Sequence, residues 1–281
     1  MLSRQTSGSV LCTSCGVLVG VGDATCYNCG RRNPGLWGFA PTLRNLGRDL
    51  GFVPFIMGTC IIVFGITLLL SRGNVGMGGL FNLFSPSTEA LFTLGASGAI
   101  PVFRLDRWWT VLSASWLHGG LLHIFFNLMW VRQLAPATAE LYGPGRAVII
   151  YTVAGVAGFA LSSFAGAFLP NLLFLRGGQF TVGASASIFG LLGALFFYGR
   201  HTGSQAVRGQ AISWALTMGL FGLFMPGIDN YAHAGGFAGG YLVSQLLDPL
   251  TPERIDHLAI AVGCLAVSLL AIAWSVFSVM A

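Results

Sequence analysis

Gly183-Ala184-Ser185-Ala186-Ser187-Ile188-Phe189-Gly190-Leu191-Leu192-Gly193-Ala194-Leu195-Phe196-Phe197-Tyr198-Gly199-Arg200 is the stretch that decides the fold. Between Ser185 and Arg200 no residue carries a charge. Such a run reads as a buried helix with a hydroxyl at its mouth. It is short for a hydrocarbon core of about 30 Å. Short spans suit a helix that starts inside a protein-lined cavity. Gly190 and Gly193 leave room for the backbone of a neighbouring helix.

Similar apolar runs lie near 53–71, 117–135, 147–168, 209–225, 231–247 and 257–280. The chain is 54% hydrophobic and 8% charged, where a soluble domain is about 25% charged. Its mean hydropathy is +0.76. An ordinary soluble protein is excluded, and an all-α polytopic membrane protein is expected. All fourteen basic residues are Arg, and the net charge is +5. They sit at loop ends and in the N-terminal segment, which fits a charge bias across a membrane and not a nucleic-acid partner. A cytoplasmic N-terminus puts Arg4, Arg31, Arg32, Arg44, Arg48, Arg132, Arg146, Arg200, Arg208 and Arg254 inside. It leaves Arg72, Arg104, Arg107 and Arg176 outside. Ten against four supports the N-terminus inside and the seventh span ending outside; a bacterial inner membrane is the expected location. The first forty residues contain no apolar run, so they are expected to remain as a domain. The first outer loop, 72–116, is aromatic and greasy, with Leu80, Phe81, Leu83, Phe84, Leu91, Phe92, Trp108 and Trp109. It is expected to lie half-sunk at the interface.

The N-terminal segment carries Cys12-x2-Cys15 and, ten residues on, Cys26-x2-Cys29. Two such turns put four thiolates around one tetrahedral Zn²⁺. Gly16 and Gly30 follow the pairs and relieve each tight turn. The alternative is a pair of redox dithiols, which a cytoplasmic setting would keep reduced. So small a module needs its metal to fold. It could be an adaptor, a substrate recruiter or a spacer, and the pattern names no partner. The domain reading is 1–32 zinc-ribbon-like module, 33–51 linker, 52–250 membrane core and 251–281 seventh helix.

Inside the spans, polar groups are few and costly. His123 and Asn127 are four apart and share one helix face. They are either working donors or a polar pair that glues helices together. His233 opens the sixth run, with Gly236 and Gly240 near its own face, so the fourth and sixth spans can approach closely enough for a Ser-His hydrogen bond. Two serines could be mistaken for Ser185. Ser97, in Gly95-Ala96-Ser97-Gly98, precedes Pro101 and opens no span. Ser187 faces roughly the other side of its helix.

These residues together resemble the rhomboid family of intramembrane serine proteases. The resemblance covers about 50–250 and rests on His118-x4-His123-x3-Asn127, Gly183-x-Ser185 and Ala232-His233-x-Gly235-Gly236. It implies a six-helix core, here with a seventh span and the zinc-ribbon-like module added. It implies Ser185 as nucleophile and His233 as base. Asn127, His123 and the Ser185 N–H would form the oxyanion hole, His118 would support the outer loop, and Phe189 would pack on His233. Ala186 stands where the family often has Gly, and Phe189 where Tyr is common. The family's loop motif Trp-Arg falls on Trp109-Thr110, with Arg107 nearby. No Asp or Glu lies within a span, so the expected machinery is a dyad that needs no catalytic cofactor. The substrates would be transmembrane proteins. The rival reading is a catalytically silent relative that binds membrane clients. A transporter would more often show broken helices in two matching halves, and none are visible.

Overall fold

The computed structural model describes residues 4–41, 49–79, 82–170, 175–225 and 227–280. Leu80 and Phe81 of the outer loop, and Arg44 and Arg48, lie outside the described residues.

A hairpin of β1 (Ser9–Leu11) and β2 (Leu18–Gly20) pairs Val10 with Val19 and carries the cysteine turns. Two inward valines form its apolar centre together with Cys12 and Cys26. Eight helices of seven or more residues follow among the described residues. They are α1 (Phe52–Leu70), α2 (Thr88–Leu94), α3 (Leu121–Tyr142), α4 (Pro144–Phe168), α5 (Ser185–Thr202), α6 (Gln205–Phe224), α7 (Asn230–Leu246) and α8 (Ile255–Met280). All but α2 are long. Of these, α1, α4 and α8 are apolar and long enough to cross a membrane by themselves. The others carry the glycines and polar groups that lower hydropathy, which is where an intramembrane site has to be built. The chain is an integral, polytopic helical membrane protein.

The second span differs from its sequence reading, 117–135. Gly119-Gly120 keeps the chain out of helix, so α3 starts at Leu121. It then runs past Arg132 to Tyr142, because a helix can continue beyond the hydrocarbon where charges are solvated.

The centre is the trio α4, α5 and α7, packed through missing side chains. A Cβ added to Gly236 would run into the backbone of Ala186, and one on Gly240 into that of Gly190. One on Gly158 would lie 2.7 Å from Ala186 Cβ. That pairing explains how Ala186 is tolerated, since the methyl at 186 takes the space left by Gly158. By contrast, α6 buries only Ala211 and Gly222.

The outer loop is built of short turns around two anchors. Ser97 and Thr181 exchange backbone hydrogen bonds of 3.0 and 2.8 Å, tying the loop to the segment that enters α5. Arg107 is buried, donates to the Phe92 and Ser275 carbonyls at 3.0 Å each, and stacks over the Phe92 ring. Trp109 Nε1 donates to Ser275 Oγ at 3.0 Å. Thr110, where a family arginine would fall, is buried and donates to the Arg107 carbonyl at 2.7 Å. The clamp is present, but it is made by Arg107 and grips α8. Trp108 stays two-thirds exposed, at 66%, as an interfacial tryptophan does.

At the opposite end, Arg31 reaches from the cysteine module to the Glu253 carbonyl at 3.0 Å. The Glu253 carboxylate accepts from the Arg146 N–H at 2.9 Å. Burial raises the Glu253 pKa above its usual value, opposed by these backbone donors and by the nearby arginines. Arg146 also donates to His257 Nδ1 at 3.1 Å and to the Thr251 carbonyl at 2.8 Å. One polar node thus joins the module, α4 and α8.

Candidate active site

Ser185 is the first residue of α5 and is only partly buried. The chain enters through Gly183 at φ +130°, a conformation that side chains rarely adopt. Its N–H donates to the Ala114 carbonyl at 2.9 Å. The α5 ladder begins with Ile188 N–H on the Ala184 carbonyl at 3.0 Å. The Ser185 N–H therefore stands ahead of the ladder, among the donors a helix start leaves over.

His233 lies in the first turn of α7 and is buried, at 8% exposure. Its ring stacks on Phe189 with centroids 4.2 Å apart and planes 14° from parallel. Phe189 is one helical turn beyond Ser185, so this stack puts the imidazole beside the face that Ser185 opens. No carboxylate bonds the ring among the described residues, and Nδ1 is buried without a partner there. The orienting group is aromatic.

His123 completes the group from α3. Its Nδ1 accepts from the Gly119 N–H at 3.2 Å, which assigns the ring proton to Nε2. A Cβ on Gly183 would lie 2.6 Å from His123 Nε2 and 3.8 Å from Ser185 Oγ. Glycine at 183 is therefore what lets donor and hydroxyl flank one space. His118 is fully buried, with its ring edge-on to His123 at 5.3 Å. Asn127 is also buried, and its Nδ2 donates to the His123 carbonyl at 2.8 Å. One N–H is thus spent on its own helix, which leaves the second amide hydrogen over.

The two rival serines point elsewhere. Ser187 Oγ pairs with Ser115 Oγ at 3.5 Å, against Gly155. Ser97 is fully buried.

The Sγ atoms of Cys12, Cys15, Cys26 and Cys29 all lie within 4.8 Å of one another. Cys12–Cys29 and Cys15–Cys26 are 3.8 and 3.7 Å apart. A tetrahedral Zn²⁺ with bonds near 2.3 Å has sulfur edges of about 3.8 Å, so these residues fit a zinc ion. Each knuckle closes with a bond to the cysteine carbonyl, Gly16 to Cys12 and Gly30 to Cys26, both 2.9 Å. Both glycines have positive φ, +75° and +68°. Burial works to raise Cys15, but hydrogen bonds from Val17, Asn28 and its sister thiols outweigh it and bring the thiol to about 6. Burial pushes Cys29 up to about 12.

The sequence profile of the Rhomboid domain matches residues 105–249, just over half of the chain. The chain belongs to the rhomboid family. The matched region takes in Ser185, His233, His123 and Asn127 and excludes the cysteine module and α8. This rhomboid is 32% identical to RHOMBOID-like protein 4 of Arabidopsis thaliana over 169 residues, which cover 59% of this chain and 40% of that protein. It is 32% identical to Rhomboid protease GluP of Bacillus subtilis over 166 residues, 58% of this chain and 30% of GluP. It is 29% identical to Inactive RHOMBOID-like protein 8 of Arabidopsis thaliana over 218 residues, 69% of this chain and 58% of that protein. The matches thus span less than two thirds of each of these three relatives, and by name those include both a protease and an inactive form.

For this rhomboid we expect Asn127→Ala to lower kcat and kcat/KM together, on the order of ten- to a thousandfold, with KM nearly unchanged. Steady-state cleavage of a transmembrane substrate in detergent measures this. A raised KM at constant kcat would make Asn127 a binding contact, and a lowered thermal midpoint alone would make it helix glue.

Proposed function

We propose that this rhomboid is an intramembrane serine endopeptidase that cuts peptide bonds in or near the transmembrane helices of other membrane proteins. One observation carries the reading. Ser185, partly exposed, opens α5, the His233 ring stacks on Phe189 one turn further along that helix, and His123 Nε2 lies across Gly183 from the Ser185 hydroxyl. The protease GluP among the relatives supports it. Ser185 Oγ attacks the scissile carbonyl while His233 takes its proton. The oxyanion that forms meets the Ser185 N–H, His123 Nε2–H and the second Asn127 N–H. Collapse breaks the C–N bond, and His233 returns the proton to the leaving amine. Water, deprotonated by His233, then frees the acid and regenerates Ser185. No cofactor enters these steps.

In this reading the chain divides into a zinc-ribbon-like module (1–32), a linker (33–51), the protease core (52–250) and a seventh helix (251–281). The arginine bias puts the N-terminus in the cytoplasm and the Ser185 mouth on the other face. The test is fluorophosphonate labelling of detergent-solubilised protein, paired with cleavage of a transmembrane substrate. Labelling with cleavage is expected. A protein that binds membrane clients but neither labels nor cuts is a silent relative, and the proposal fails.

The cysteine module is assigned one structural Zn²⁺. Full-length protein is expected to carry about one zinc per chain, and Cys12→Ser with Cys15→Ser to carry none. A form that starts at Gly51 should still cut, since the cluster lies at the end of the bundle away from Ser185. Its thermal midpoint should fall, because the Arg31 contact to Glu253 goes with it. A folded but inactive form would show that the module acts on the chemistry.

A further inference from the structure

Asp229 lies four residues before His233 and caps α7. Its Oδ1 accepts from the Ala232 N–H at 2.9 Å, and its carbonyl from the His233 N–H at 3.1 Å. A cap needs only one acceptor, which serine or asparagine supplies as well. Here the second oxygen is also used. Asp229 Oδ2 accepts from the Ser162 hydroxyl.

Ser162 sits on α4 and is fully buried. Buried hydroxyls on these helices commonly bond back along their own helix. Thr67 donates to Val63, Thr138 to Leu134 and Ser244 to Gly240. Ser162 instead sends its proton to another element. Its oxygen then accepts from the Gly178 N–H at 2.9 Å. Gly178 belongs to the segment that runs through Thr181 and Gly183 into Ser185, and its carbonyl accepts from Ala99 at 2.8 Å. A Cβ on Gly178 would lie 2.9 Å from Asp229 Oδ2 and 3.0 Å from Ser162 Oγ. No side chain can come between them.

We propose that Asp229 is a positioning residue for His233, locking the first turn of α7 through Ser162 to the segment that delivers Ser185. The role rests on the Ser185–His233 reading. The carboxylate touches neither reacting atom. It fixes the height and rotation of the helix carrying the base against the segment that leads into the nucleophile at the start of α5. Misplacement by about 1 Å can cost a hundredfold in rate.

Asp229→Ser separates the lock from the cap, because serine caps a helix but is too short to reach Ser162. We expect Asp229→Ser and Ser162→Ala each to lose about ten- to a hundredfold in kcat, with KM within twofold and a near-normal thermal midpoint. The double variant should lose no more than either single one, since both cut the same link. Asp229→Asn keeps the cap and can donate to Ser162 Oγ, so it should restore most of the rate. Normal kcat in Asp229→Ser, additive losses in the double variant, or activity that falls only in step with stability would each overturn the proposal. Ser185→Ala, run alongside, tells the two failures apart. Turnover that persists there sinks the dyad, whereas turnover absent there and normal in Asp229→Ser sinks only the positioning role.

Discussion

Ser185→Ala and His233→Ala should each remove turnover, by about 10⁴- to 10⁶-fold in kcat, and the double replacement should cost no more than the worse of the two. The reason is chemical. A serine hydroxyl is a weak nucleophile until a base takes its proton, and the base is of no use without the hydroxyl. The other imidazole near the hydroxyl, His123, faces it across Gly183 with Nε2, the nitrogen that carries the ring proton, and so is no substitute base. Fluorophosphonate labelling should vanish in Ser185→Ala and persist in Ser97→Ala and Ser187→Ala. The last two serines are engaged with Thr110 and Ser115, away from the mouth. Labelling that survives Ser185→Ala, or losses that simply add, would sink the assignment.

The second large effect comes from a methyl group. Gly240→Ala should destabilise the fold by about 1–3 kcal/mol or more and lower activity with it. The added Cβ would meet the backbone of Gly190, and backbone cannot swing away as a side chain can. To admit it, α5 and α7 must separate, and Ser185 and His233 separate with them. Gly65→Ala on α1 is the contrasting case. Nothing lies within 4 Å of its Cβ, and alanine is the better helix former by up to about 1 kcal/mol. That variant should hold or raise the thermal midpoint. Equal midpoints for the two variants would refute the close-packed picture.

Much of this was legible in the residues, where chemistry depends on local spacing. The cysteine pairs specified their cluster, because a Cys-x2-Cys turn fixes where two thiols point. Gly236 and Gly240 announced a close helix contact, since helical periodicity puts them on one face. The packing of Phe189 on His233 is what the family resemblance implies, and the two rings do stack. What stayed hidden depends on distant pairings. Thr110 looked like a missing anchor, because only the fold shows Arg107 turning inward to Ser275. Ser97 looked like a stray copy of the nucleophile motif, because its backbone pairing with Thr181 spans the molecule. Asp229 carries a local signal, an N-cap aspartate one turn before His233, but its second partner, Ser162, lies 67 residues away. The end of α3 at Tyr142 is not legible, because hydropathy reports the lipid boundary and not where the helix stops.

The clamp on α8 bears on how the molecule is assembled during synthesis. The matched rhomboid region ends at 249, yet the residues beyond it close features made long before. Arg107 meets Ser275 across 168 residues, and Arg31 meets Glu253 across 222. At about 5–20 residues per second, a ribosome needs on the order of ten to forty seconds to supply those partners. For that interval the outer loop lacks its fastening to α8, and the cysteine module lacks its dock at Glu253. Ser185 and His233 are both made before Glu253 and Ser275, so for the last part of that interval the nascent protein holds its proposed dyad before the parts that brace it at either end.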